Sequence, residues 1–413
     1  MKKYLLELLL ALRRDTRGAV AALAAGGMMA VTGAAGLATD AGRGHVVKVR
    51  LDDAHDAAGS AVGQKIRPSA YRPTYLDVVL AIDMSGSMTS WIDGKTRIQA
   101  AREAATELVN TLFGGRETKA LLKVGIVPWN GKVNVTLNGS TYDPAATRTV
   151  AVRPFTNPLT GSVQSVVYVP NNSPVPLLSA PPADWKGCVF SRYLDDGIAD
   201  NDADIVYGSL SSATGDWNAW EPVGPEGEPA SSGICAMSTN GSECTPCPTH
   251  GITPLQSSKA AALNAIRQLT APSGTTNITE GLSWAWRVLR PEAPFTEAGP
   301  SPDGSRQQVI VLLTDGENFA GNGDGYKTVF GYGNAAFDRM NERFRALAAA
   351  VKASGVKIYA IQFANGGGAL QALMQEIASG PKAPYYHYAP DGETLQTVFR
   401  EVGNHLSALR ASE

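Results

Sequence analysis

A chain of 413 residues with 44% apolar and 18% charged side chains can bury a substantial core and has the balance of a globular protein. Its 36 basic and 38 acidic residues give a formal net charge of −2, with no basic run interleaved with aromatics. That excludes the electrostatic footprint of a nucleic-acid binder.

The chain opens with Lys2 and Lys3, then an apolar stretch from Tyr4 to Leu12 around the single Glu7, which reads as an interfacial lead-in helix. From Gly18 to Thr39 run 22 consecutive uncharged residues, close to the ~20 that cross a bilayer as a helix. Lys2, Lys3, Arg13, Arg14 and Arg17 outweigh Arg43, Lys48 and Arg50 on the far side, which places the N-terminus in the cytoplasm. The expected layout is a cytoplasmic lead-in (1–17), a transmembrane helix (18–39) and the bulk of the chain outside. Two other readings fit the same segment, a cleaved secretory signal and a buried Ala/Gly helix. Residues 40–74, with the alternation Val46-Val47-Lys48-Val49-Arg50-Leu51, read as a stalk with an edge strand.

Leu76 to Ile82 is an almost unbroken apolar run, the pattern of a strand buried on both faces in a parallel sheet. Asp83, Ser85 and Ser87 follow at alternate positions, and Gly86 lets the backbone turn between them. The three side chains therefore converge at the carboxyl end of the strand, where open α/β sheets keep their sites. Arg97 to Phe113 has helical spacing and stops at Gly114-Gly115. Leu121 to Val127 reads as a second buried strand, and Lys132 to Leu137 as an edge strand beside it.

Regular alternation ceases at Asn138 and resumes near Leu255, too long a gap for a loop. The stretch 138–254 is an expected insertion of short strands and structured loops, such as Val150 to Val152 and Val163 to Val169. All four cysteines, Cys188, Cys235, Cys244 and Cys247, lie in it. An even count in a loop-rich, extracytoplasmic segment points to disulfides, with a four-thiolate zinc site as the rival.

After the insertion come helices at Lys259–Leu269 and Glu280–Leu289, and a buried strand from Val309 that ends at Thr314-Asp315-Gly316. A helix at Ala335–Ser354, a strand at Val356–Phe363, a helix at Ala369–Ala378, a short strand at Tyr385–Tyr388 and an amphipathic helix at Thr394–Leu409 close the chain. The fold class is α/β, a doubly wound, mostly parallel sheet. Its two parts, 75–137 and 255–413, are separated by the insertion.

The spacing Asp83-x-Ser85-x-Ser87 after such a strand resembles the first segment of the metal-ion-dependent adhesion site of von Willebrand factor type A domains. That family takes a Thr from a second loop and an Asp from a third. Thr275-Thr276-Asn277 and Thr314-Asp315-Gly316 are similar to those loops, so the resemblance implies Asp83, Ser85, Ser87, Thr276 and Asp315 as the metal site. The N-terminal stretch Arg14-Asp15-Thr16-Arg17-Gly18-Ala19-Val20-Ala21 resembles the start of the TadE/TadG group of Tad pilus-assembly proteins. Gly281-Leu282-Ser283-Trp284-Ala285-Trp286-Arg287 is similar to a stretch of the TadG-like members. Those members join such an anchor to an extracytoplasmic von Willebrand type A domain. Relatives processed like pilins carry a Glu five residues after the cleaved glycine; here that position is Leu23, which departs from the pattern. The TadG-like pattern around Trp185-Lys186-Gly187-Cys188 and Cys247-Pro248 implies pairing of Cys188 with Cys247 and of Cys235 with Cys244.

Hydroxyl and carboxylate oxygens with no His or Cys nearby suit a hard cation, Mg²⁺ above all, with Mn²⁺ or Ca²⁺ also compatible. The resemblance implies that Ser85, Ser87 and Thr276 coordinate directly while both aspartates act largely through water. The cation then stays electrophilic and accepts an acidic side chain from a protein partner. The implied function is pilus assembly or surface adhesion by a single-pass protein of the bacterial inner membrane, its bulk periplasmic. A metal-assisted hydrolase using Asp83 or Ser85 is the alternative from another class, and a secreted soluble adhesin is a variant of the first reading. The site residues also read as ordinary helix caps. Asp200-Asn201-Asp202-Ala203-Asp204 begins like a calcium loop but has Ile205 where the turn glycine belongs, so a solvated acidic loop is the plainer reading. Asn318, Asn322 and Asp324 follow Asp315 closely enough to border its site, and turn chemistry explains them as well.

Overall fold

The computed structural model describes residues 74–137, 151–156, 163–169, 173–177, 179–191, 220–229, 244–291, 294–299, 305–321, 324–325 and 333–411. The expected lead-in, transmembrane helix and all of the stalk but Thr74 lie outside these, as do the Asp200–Asp204 loop, Asn322 and Cys235. Among the described residues no helix is long and apolar enough to cross a membrane.

In chain order the first elements are β1 (Tyr75–Asp83), the short strands β2 (Trp91–Ile92) and β3 (Lys95–Thr96), helix α1 (Arg97–Phe113), β4 (Leu122–Trp129) and β5 (Val133–Asn134). The insertion supplies β6 (Ala151–Thr156), β7 (Val163–Val169), β8 (Ser173–Leu177) and β9 (Cys188–Val189). Then follow β10 (Thr253–Gln256), α2 (Lys259–Arg267), α3 (Ile278–Leu289), β11 (Arg306–Thr314), α4 (Phe337–Ala353), β12 (Lys357–Phe363), α5 (Gly368–Ile377), β13 (Tyr386–Ala389) and α6 (Gly392–Ala411).

The main sheet has six strands in the order β10-β4-β1-β11-β12-β13. Every neighbouring pair is parallel except β10 with β4. The apolar run of β1 explains its central place, because its side chains alternate between two cores. Val79 and Ala81 join α3, α4 and α5 on one face. Leu76, Val78, Leu80 and Ile82 join α1, α2 and α6 on the other. Each fully buried Val, Leu or Ile contributes roughly 1.5–3 kcal/mol, so a strand fed from both sides is pinned in register. Helix α1 starts where a capping box allows it. The Thr96 hydroxyl accepts from the Gln99 backbone N–H at 3.3 Å, and the Gln99 side chain accepts from the Thr96 N–H at 2.8 Å.

One expectation is corrected here. Lys132 to Leu137 does not line the edge of the main sheet. Only Val133–Asn134 is extended, and it pairs antiparallel with β9 of the insertion. The edge beside β4 is β10, antiparallel, with Pro254 inside it, a residue that edge strands tolerate because one side of the ladder is unpaired. The reason lies in Lys132, which is fully buried. Its Nζ donates to the Thr245 carbonyl at 2.6 Å, to Glu228 Oε1 at 3.1 Å and to the Gly227 carbonyl. Burial pushes this ammonium's pKa down while Glu228 opposes the shift, and a buried charge persists only when so paired. The segment thus clasps the insertion instead of extending the sheet.

Asn134 works the same way, its Nδ2 donating to the carbonyls of Lys186 at 3.0 Å and Pro248 at 2.9 Å. The disulfide Cys188–Cys247 closes this junction, as the pairing drawn from the resemblance expected. Cys244 is also disulfide-bonded. The insertion carries its own antiparallel sheet in the order β6-β7-β8.

Near this junction His250 is 6% exposed, with Nε2 buried and without a hydrogen-bond partner among the described residues. Burial drives its pKa down to about 4. The unfolded chain therefore binds a proton below about pH 6.5 that the folded protein refuses until about pH 4, so stability is full above pH 6.5 and drains away as pH falls between the two. Comparing urea midpoints of the wild type and His250→Gln from pH 4 to 8 should show the wild type losing about 2–3 kcal/mol more than the variant over that window. Parallel profiles would refute it.

Candidate metal centre

Asp83 is the last residue of β1, and both of its oxygens are engaged. Oδ1 accepts from the Ser85 backbone N–H at 2.7 Å, and Oδ2 accepts from the Thr314 hydroxyl at 2.7 Å. The turn after it is held against the second loop by Gly86 N–H donating to the Gly274 carbonyl at 2.9 Å. A Cβ at Gly86 would stand 3.2 Å from that carbonyl oxygen, so the close approach favours glycine here. The turn aims the Ser85 and Ser87 hydroxyls at each other, 3.0 Å apart. Ser87 Oγ then donates to Asp315 Oδ1 at 2.5 Å.

The second loop is placed by backbone contacts on both sides. Ser273 N–H donates to the Met84 carbonyl at 2.7 Å, Asn277 N–H to the Asn130 carbonyl at 3.1 Å, and Phe319 N–H to the Thr276 carbonyl at 2.8 Å. A Cβ on Gly316 would lie 3.4 Å from Thr276 Oγ1 and 3.8 Å from Ser87 Oγ. The three loops therefore bring Asp83, Ser85, Ser87 and Asp315 into one hydrogen-bonded cluster, with the Thr276 hydroxyl beside it.

Asp83 and Asp315 are both buried. Burial first, and the Asp315 charge second, push the Asp83 pKa up to about 7. Two carboxylates in a water-poor pocket repel each other, and a cation between them relieves that. Among the described residues no three His, Cys, Asp or Glu side chains gather, so an ion here would draw on hydroxyls as well as carboxylates. The donors here are two carboxylates and three hydroxyls, all oxygen, which is the chemistry of a hard divalent cation. The residues present fit such an ion.

Other expected residues take structural posts. Asn318 Oδ1 accepts from the Ile278 N–H at 2.9 Å and its Nδ2 donates to Asn341 at 2.9 Å, so it caps the start of α3. Asp324 is fully buried and accepts from the Gly321 N–H at 3.3 Å. His387 and His405 bond to the Pro384 carbonyl and the Tyr359 hydroxyl, and the Ser85 hydroxyl is paired with Ser87.

Three participants escaped the sequence reading. Thr314 bridges Asp83 to the backbone of Gly316. Thr245 of the insertion meets Thr275 hydroxyl to hydroxyl at 2.7 Å, so the disulfide-closed junction braces the loop that carries Thr276. Arg97 Nη1 donates to Asp315 Oδ2 at 2.8 Å. The only sequence signal for Arg97 is its place at the first position of a stretch with helical spacing.

Residues 248–401 match the family model of the von Willebrand factor type A domain. The matched stretch holds Thr276 and Asp315. Asp83 precedes the matched stretch, beyond the insertion, yet β1 lies between β4 and β11 in the same sheet. No curated protein matches the chain in sequence. Among solved structures, the pilus adhesin SpaC from Lactobacillus rhamnosus GG aligns at 13% identity and TM-score 0.41, covering 81% of this chain and 30% of that one. The vWF domain of the type V pili tip protein Mfa5 from Porphyromonas gingivalis aligns at 11% identity and TM-score 0.41, covering 81% and 96%. Proximal thread matrix protein 1 from the mussel byssus, with a zinc-occupied MIDAS motif, aligns at 14% identity and TM-score 0.36, covering 81% and 48%. The chain thus spans less than a third of SpaC's length.

Proposed function

We propose that this chain is a membrane-anchored, extracytoplasmic von Willebrand type A protein of the TadG-like group. It acts in Tad-type pilus assembly or surface adhesion by binding an acidic side chain of a protein partner through a divalent cation. The observation that carries the reading is the meeting of Asp83, Ser85, Ser87 and Asp315, with Thr276 alongside, at the carboxyl end of the central strands. Asp83 and Asp315, with the hydroxyls of Ser85, Ser87 and Thr276, would hold Mg²⁺. The cation would supply a Lewis-acidic point of attachment for a carboxylate. The basic bias around Gly18 to Thr39 supports an inner-membrane anchor with the N-terminus inside.

The reading is tested by capturing partners from membranes with the full-length protein, with and without EDTA. Capture should be lost on chelation and restored by Mg²⁺, and capture unchanged in EDTA would sink the metal bridge. In the same strain a reporter active only outside the cytoplasm, fused at Glu413, should work; a silent one would refute the topology.

A further inference from the structure

We propose that Arg97 is a built-in counter-cation that sets the threshold at which this site takes up a divalent ion. The inference rests on the metal-dependent reading above. The Asp315 carboxylate is shared between two neighbours, with Oδ1 accepting from the Ser87 hydroxyl at 2.5 Å and Oδ2 from the Arg97 guanidinium at 2.8 Å. The Asp315 side chain is completely buried and that of Arg97 is 23% exposed, so little water or salt screens the pair. A guanidinium does not shed its proton in a protein. The positive charge is therefore permanent.

The position of Arg97 is not explained by its own helix. It is the first residue of α1, where the positive end of the helix dipole disfavours a cation, and the first turn of α1 contains no acidic residue to compensate. Arg97 Nε is buried and has no hydrogen-bond partner among the described residues. The residue accepts both penalties to place Nη1 on Asp315. With Arg97 in place, the two aspartates, once both are ionised around a cation, and the one guanidinium carry a single net negative charge instead of two. A divalent cation is held less tightly than the bare aspartates would hold it, and once bound it leaves the cluster net positive, which is the charge an acidic side chain seeks.

Titration calorimetry of the detergent-purified full chain with MgCl₂ and MnCl₂ tests this on the wild type, Arg97→Gln and Arg97→Lys. Removing the charge should tighten the affinity for both ions by at least about tenfold. Arg97→Lys, which keeps the charge, should stay within about threefold of the wild type. A role confined to aiming Asp315 gives the opposite sign, weaker binding in Arg97→Gln. Equal or weaker binding in Arg97→Gln overturns the proposal, as does a gain in Arg97→Lys as large as that in Arg97→Gln. Should Arg97→Gln fail to fold, Arg97→Met removes the same charge and is read by the same criterion. Absence of heat from both wild type and charge-free variants at millimolar ion would defeat the metal reading and this proposal together, whereas binding that is equal in all of them defeats this proposal alone.

Discussion

Magnesium should raise the stability of the wild type by about 2.7 kcal/mol when present at a hundredfold excess over its Kd, because an ion that binds only the folded state stabilises it by RT ln(1 + [L]/Kd). The Ser85→Ala, Asp315→Asn double variant should show no such gain. Both substitutions are nearly isosteric and sit at a strand end where no core side chain is removed, so the variant should fold with its main sheet intact. Asp315→Asn also leaves the Arg97 guanidinium without its carboxylate, so a modest loss of stability is expected without any ion. The informative quantity is the increment on adding Mg²⁺, read from thermal or urea unfolding and reversed by EDTA. An increment in the double variant equal to that of the wild type would place the ion elsewhere.

The second large effect concerns the Cys188–Cys247 bond, which joins residues 59 apart in sequence. Closing a loop of that length removes unfolded-state entropy worth about 4 kcal/mol in the chain-entropy model. The Cys188→Ser, Cys247→Ser variant should lose stability on that scale. The loss should reach the candidate metal site as well. Thr245 lies two residues from Cys247 and meets Thr275 directly, and Thr275 precedes Thr276. A slackened junction should therefore weaken Mg²⁺ binding. Calorimetry and urea unfolding on the same preparation check both statements, and a variant with unaltered midpoint and unaltered ion affinity would refute the brace.

The parts of this fold that are legible in the sequence share a physical cause. β1 and β11 are long apolar runs because both faces of the sheet are covered, and that burial leaves no ambiguity of face. Helix α1 is readable to its last residue because its spacing and its terminating glycine agree, and the structure adds a capping box at Thr96. Local agreement of this kind failed around Lys132. Lys-Val-Asn-Val-Thr-Leu alternates like a half-exposed edge strand, but burial of Lys132 depends on carbonyls of Gly227 and Thr245, more than ninety residues away in sequence. The three loops of the site could be located one by one from short motifs. Their joining by Thr314 and Arg97 could not, because Thr314 reads as the end of a strand and Arg97 as the start of a helix. Each finds its partner across about 220 to 230 residues.

That long reach governs the order in which the molecule can assemble. β4 follows β1 closely and can pair with it early, but β11, which covers the other edge of β1 through eight register pairs, is synthesised more than 200 residues later. At 5–20 residues per second the exposed edge of β1 must wait on the order of 10–50 s for its partner. During that interval a long, largely apolar strand presents an unpaired ladder, the feature that recruits other chains. The insertion, with its own antiparallel sheet and its disulfide, emerges within that wait. Nascent chains stalled before Arg306 should therefore be more aggregation-prone than chains stalled before β1 has emerged or released after β13.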